Sequence, residues 1–117
     1  MNSVTILHNP RCSKSRQTLA LLEERGISPT IIEYLKTPLS VDELKSLYSK
    51  LNVTCVRDMM RTKEDEYKSA NLGAQDVTDE ALFSAIAQTP KLLERPVVIN
   101  GDKARIGRPP ENVLDIL

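Results

Sequence analysis

The residues best equipped for chemistry stand together near the start of the chain, in His8-Asn9-Pro10-Arg11-Cys12-Ser13-Lys14-Ser15-Arg16. A cysteine is a nucleophile only as its thiolate, and nearby positive charge and the unpaired N–H groups of a helix N-terminus favour that form. His8, Arg11, Lys14 and Arg16 supply charge around Cys12. The same N–H groups would hold an oxyanion against the sulfur. Free cysteine is otherwise among the most buried residue types, and the polar, cationic neighbours of Cys12 set it apart from a packing residue. The second cysteine position of a Cys-x-x-Cys motif is Ser15 here, so a modified Cys12 needs an outside thiol to restore it. Cys55 has Val53 and Val56 as neighbours and reads as structural. His8 is the one histidine and, four residues from Cys12, would tune the thiolate electrostatically. Ser15 would either hydrogen-bond the thiolate or a bound oxyanion, or pack at the helix start.

These residues need a strand to end and a helix to begin around Cys12, and the sequence predicts both. Val4 to Leu7 reads as a strand stopped by Asn9-Pro10. Residues 13–25 read as a helix with Leu19 and Leu22 on one face and Gly26 as its stop. Residues 30–35 read as a second strand, parallel to the first across this βαβ unit. Ser40 and Glu43 form a capping box for a helix reaching about Lys50. Residues 56–72 read as short helical pieces, and Thr78-Asp79-Glu80 caps a helix over 81–88 ended by Pro90. Residues 96–99 and 103–106 are strands around an Asn100-Gly101-Asp102 turn, before a last short helix over 110–117. The order predicts an α/β, thioredoxin-like fold: a mixed four-stranded sheet with flanking helices, and a helical insertion between its βαβ and ββα halves.

Composition narrows the partners. The 117 residues fit one domain, residues 1–117. Sixteen basic and sixteen acidic side chains balance to zero net charge, which excludes the strong positive field that non-specific nucleic-acid or membrane-surface binding requires. Two cysteines are no disulfide scaffold, no apolar run approaches a membrane span, and Met1-Asn2-Ser3 carries no charged leader. A reducing cytoplasm is the expected compartment. With no long apolar helix face left over, a monomer is expected.

His8-Asn9-Pro10-x-Cys12, Arg61 after a helix, Glu94-Arg95-Pro96-Val97-Val98 and Arg108-Pro109 together resemble the arsenate reductase family that uses glutaredoxin and glutathione. The resemblance covers essentially Val4 to Leu117. It is nearest to a subgroup of arsenate-reductase-like proteins, through Arg11 to Arg16, Met60-Arg61-x-Lys63-Glu64 and Lys103 to Glu111. It departs at Ser13-Lys14, where well-studied members carry Gly-Thr.

The resemblance implies that Cys12 attacks arsenate to form a thiol-bound ester, while Arg61, Arg95 and Arg108 line the pocket and neutralise the oxyanion. A guanidinium fork also matches a tetrahedral oxyanion on chemical grounds alone. The resemblance implies a cis bond before Pro96 that turns the backbone of Arg95 toward Cys12. Glutathione would be the co-substrate and glutaredoxin the final reductant, with no metal and no bound organic cofactor. Two alternatives stay open: a generic glutathione-linked thiol oxidoreductase, and a non-enzymatic regulator of the same fold that binds RNA polymerase. The regulator carries Cys-x-x-Cys where this chain has Ser15. A cysteine phosphatase needs Cys-x5-Arg, and Thr18 occupies that arginine position.

Overall fold

Strand alternation places the two cores. In β1 (Val4–Leu7), Val4 and Ile6 face one side of the sheet and Leu7 the other, as the two-residue period dictates. The computed structural model describes residues 4–51 and 53–117; residues 1–3, on which the expectation about a leader falls, and position 52 lie outside them. On one face Val4, Ile6 and Val98 meet Leu22, Val113 and Ile116. On the other, Leu7, Val97 and Ala104 meet Leu44, Leu47, Leu82 and Ile86. Each such Val, Leu or Ile side chain contributes roughly 1.5–3 kcal/mol of transfer free energy when fully buried.

The elements follow the expected order: α1 (Ser13–Glu24), β2 (Thr30–Ile32), α2 (Val41–Leu51), α3 (Asp65–Ser69), α4 (Asp79–Gln88), β3 (Val97–Asn100) and β4 (Lys103–Ile106). Short 3-10 turns lie at Val56–Met59, Pro90–Leu92 and Pro110–Ile116. The sheet order is β2-β1-β3-β4, with β1 parallel to β2 and antiparallel to β3, and β3 antiparallel to β4. This is the thioredoxin-like mixed sheet, with α1 against one face and α2 and α4 against the other.

Local signals set most boundaries. Gly26 ends α1 at a φ of +75°, which a side chain would resist. Ser40 and Glu43 close the capping box, with Glu43 N–H donating to Ser40 Oγ at 3.1 Å and Ser40 N–H to Glu43 Oε1 at 2.9 Å. Thr78 Oγ1 accepts from Ala81 N–H at 3.2 Å, so α4 starts at Asp79 rather than at 81. The final helix is a 3-10 segment rather than an α-helix.

β2 is shorter than the sequence predicts. It ends at Ile32, and the chain turns at 33–37, where Lys36 and Thr37 N–H both donate to Glu33 O. The reason is the partner: β1 ends at Leu7, and His8 N–H to Ile32 O at 2.8 Å is the last rung between them. Tyr34 then turns inward and is buried.

The helical insertion is organised around contacts that the sequence pattern does not display. Arg57 donates from Nε to Tyr67 Oη at 3.1 Å, and from Nη2 to Leu72 O at 2.7 Å and Ala74 O at 2.9 Å. A short antiparallel bridge joins Met60 to Leu93, flanked by Arg61 N–H to Leu92 O at 2.7 Å and Glu94 N–H to Met59 O at 2.9 Å. That bridge sets Arg61 beside Glu94 and ties the insertion to the segment entering β3.

Candidate active site

The loop leaving β1 is built from its own short-range bonds. Arg11 N–H donates to Asn9 Oδ1 at 3.1 Å and Cys12 N–H to Asn9 O at 3.0 Å, the Asx-type turn that Asn-Pro favours. Arg16 Nη1 reaches back to Pro10 O at 2.8 Å. Cys12 is thereby fixed as the N-cap of α1, in an extended conformation and with no side-chain capping bond. Its sulfur faces N–H groups that have no intrahelical partner, and Ser13–Arg16 contributes no carboxylate to compete for them.

The Cys12 thiol is half-buried, and its pKa lies below the ordinary value. Burial is the largest influence and acts upward. It is outweighed by the Ser15 N–H, the positive charge of Arg95, the Lys14 N–H and a hydrogen bond from the Arg95 side chain. These are the causes the sequence pattern suggests, with one difference: the effective cation is Arg95, more than eighty residues away in the chain, rather than Arg11 or Lys14, which are exposed.

Arg95 has a second property. Its Nε and Nη1 are buried with no hydrogen-bond partner among the described residues. A cation with two unfilled donors beside a thiol of lowered pKa has the chemistry to hold an anion. The bond joining Arg95 to Pro96 is cis, and so is Arg108–Pro109, which the sequence reading did not anticipate.

Arg61 and Arg108 are placed differently. They share an open cleft of about 430 Å³ with Lys63, Glu64 and Glu94, and neither Cys12 nor Arg95 lines it. Arg61 is ion-paired to Glu64 and lies 3.9 Å from Glu94. Glu64 also faces Lys91 at 3.8 Å, and Lys91 meets Glu66 at 3.1 Å. The structure thus brings Cys12 and Arg95 together and sets Arg61 and Arg108 in an adjoining cleft, with Arg61 engaged by carboxylates.

His8 does not bring the positive charge expected of it. It is buried, and burial pulls its pKa below the ordinary value; Glu33 opposes and Arg16 reinforces that fall. That fall favours the uncharged imidazole. Its Nδ1 lies 2.6 Å from Ser15 Oγ, which also accepts from Asn9 N–H at 3.0 Å. Ser15 is fully buried, so its hydroxyl locks the loop to the helix while its backbone N–H serves the thiol.

Cys55 is exposed. It is the N-cap of the Val56–Met59 turn, and its N–H donates to the Asp58 carboxylate at 3.3 Å. Tyr34, buried in the core, is a residue that the sequence reading did not single out. Burial raises its pKa to about 12, and the positive charges of Arg95 and Arg61 and the negative charge of Cys12 all act on it. A neutral phenol therefore lies within the electrostatic reach of both the thiol and the cleft. Among the described residues no group of three or more His, Cys, Asp or Glu side chains is placed to hold a metal ion, and no helix is long and apolar enough to cross a membrane.

With this geometry in hand, the comparisons with known proteins are specific. A family model described as the ArsC family matches residues 7–116. A protein named arsenate reductase from Haemophilus influenzae is 59% identical over 115 residues, spanning 98% of this chain and 99% of its own. An arsenate reductase from Escherichia coli is 40% identical over 117 residues, spanning 100% of this chain and 82% of its own. The solved structure of an arsenate reductase from Vibrio cholerae superposes with a TM-score of 0.97 at 59% identity, over 98% of each chain.

Proposed function

This chain belongs to the ArsC family, and from that premise we propose that it is an arsenate reductase with Cys12 as its nucleophile. The observation that carries the reading is the pairing of the Cys12 thiol, its pKa lowered, with Arg95, whose buried Nε and Nη1 have no partner among the described residues. An arsenate oxyanion seated there would meet the thiolate, the Ser15 and Lys14 N–H groups and a guanidinium at once.

The cycle balances with two outside thiols. Cys12 displaces water from arsenate, and arsenic stays pentavalent in the Cys12–S–As ester. Glutathione condenses on the same arsenic and releases a second water. The glutaredoxin thiol then attacks the glutathione sulfur; a disulfide forms, and the electron pair of the broken As–S bond reduces arsenic to the trivalent state. Water displaces the remaining sulfur, giving arsenite and free Cys12. Arg95 neutralises the oxyanion throughout. Arg61 and Arg108 act from the adjoining cleft, once an incoming anion competes with Glu64 for Arg61. The enzyme works as a one-domain monomer in a reducing cytoplasm and needs no metal.

The test is arsenate-dependent NADPH consumption in the presence of glutathione, glutathione reductase and glutaredoxin, with each component omitted in turn. Loss of turnover on omitting either thiol donor supports the cycle; turnover that ignores both would overturn it. A second reading has its own observation. Arg61 is already neutralised by Glu64, which suits a general glutathione-linked thiol oxidoreductase with little use for arsenate. Deglutathionylation exceeding arsenate reduction by orders of magnitude would select that reading.

A further inference from the structure

Gly107 closes against α1 and the start of β3 with no room for a side chain. A Cβ there would stand 2.7 Å from Thr18 Oγ1, 3.2 Å from Thr18 Cγ2 and 2.9 Å from Pro96 Cγ. Carbon atoms in contact prefer about 3.5–4.0 Å, so glycine alone lets these three segments meet. Its φ is not the reason, because Gly107 is absent from the positive-φ glycines. The approach is pinned on both sides. Gly107 N–H donates to Pro96 O at 2.8 Å, and Thr18 Oγ1 donates to Lys14 O at 2.8 Å. All three residues are buried.

Each member is one step from the chemistry. Thr18 lies one helical turn beyond Lys14, whose N–H acts on the Cys12 sulfur. Pro96 follows Arg95, and Gly107 precedes Arg108. The three come from α1, the entry to β3 and the exit of β4, so their meeting point fixes the helix that carries the thiol against the segments that carry both arginines.

We propose that the Gly107–Thr18–Pro96 contact is the clamp that sets Arg95 against Cys12, making Gly107 a positioning residue for the thiol although it touches neither group. The proposal rests on the reading of Cys12 as the reactive thiol. A methyl group at position 107 forces the β4 exit and Pro96 away from α1, and Arg95 moves with Pro96. The thiol then keeps its burial and loses part of what offsets it.

The test is site-resolved alkylation of Cys12 by iodoacetamide, followed by intact mass over about pH 5 to 10 in a Cys55→Ser background, with folding checked by thermal melts. Gly107→Ala should shift the alkylation profile to higher pH and slow the reaction below the thiol's titration by about tenfold, the effect of one pKa unit. Adding Thr18→Ala removes both Thr18 atoms from the gap and should restore most of the rate. Adding Thr18→Ser leaves Oγ1 at the closest approach and should not. A folded Gly107→Ala with an unchanged profile would overturn the clamp, and so would equal recovery, or none, with the two Thr18 partners. If Gly107→Ala does not fold, Thr18→Ile crowds the same gap from the helix side, and an unchanged profile there overturns the proposal. A wild-type Cys12 that reacts no faster than an ordinary thiol would instead refute the reading of the site beneath it.

Discussion

Arg95→Met separates what the guanidinium costs the free protein from what it contributes to an anion. An unpartnered buried donor costs about 1–3 kcal/mol, and Arg95 has two such nitrogens, Nε and Nη1. Methionine keeps a flexible apolar stem of similar reach and removes both. Part of the gain is lost with the attraction between the guanidinium and the Cys12 thiolate, so the free variant should be more stable by about 1 kcal/mol, or roughly 4 °C in melting temperature. The bound state responds oppositely. A hydrogen bond to a charged group is worth about 1.5–3 kcal/mol, so losing even one weakens arsenate binding by about tenfold to a hundredfold. The Cys12 pKa should rise, because the upward push of burial remains while the Arg95 charge and hydrogen bond disappear. Thermal melts with and without arsenate read both effects in one experiment. The expected result is a higher melting temperature without arsenate and a much smaller shift on adding it. A variant that melts lower and keeps the wild-type arsenate shift would refute the reasoning, because Arg95 would then be a structural residue.

Ser15→Ala strands Asn9 N–H and His8 Nδ1 beside the buried start of α1, and chemical denaturation should show a loss of about 1–3 kcal/mol. Because the folded His8 pKa lies below its unfolded value, its contribution is fully present above about pH 6.5 and is lost as pH falls toward the lowered folded value. Melting temperature should therefore drop between about pH 7 and 5, and His8→Gln should flatten that slope; an equally steep variant would remove His8 as the cause. Arg57→Met breaks the bonds to Tyr67, Leu72 and Ala74 and should cost about 2–4 kcal/mol in urea, while Cys12 alkylation in the folded variant stays at the wild-type rate.

The parts legible in the sequence are those set by neighbours in the chain. Asn9-Pro10 before Cys12, Gly26 after α1 and the Ser40–Glu43 box each act within about one turn of helix, and each appears where the sequence puts it. The end of β2 was not legible, because it depends on β1 leaving the sheet at Leu7 rather than on residues 33–35, which read as strand on their own. The electrostatics of the thiol divide in the same way. The helix N–H groups follow from the local sequence, but the cation beside the thiol comes from a segment more than eighty residues away in the chain. His8 kept its place, but burial lowers its pKa and disfavours the charge expected of it, and burial is a tertiary property that a lone histidine does not announce. The pairing of Arg61 with Glu64 had an i, i+3 signature that was available to read. Its approach to Glu94 depends on the Met60–Leu93 bridge and had none. Cys55 takes the structural part expected of it, as the cap of the Val56–Met59 turn, but its exposure was not legible from its apolar neighbours.

The central claim is that Cys12 carries the reaction and Cys55 does not. The most direct measurement is coupled arsenate turnover by wild type, Cys12→Ser and Cys55→Ser under the same glutathione and glutaredoxin concentrations. Turnover abolished by Cys12→Ser and unchanged by Cys55→Ser is the predicted result. Retained turnover in Cys12→Ser would contradict the account at its base, since the proposed cycle runs through a bond between that sulfur and arsenic.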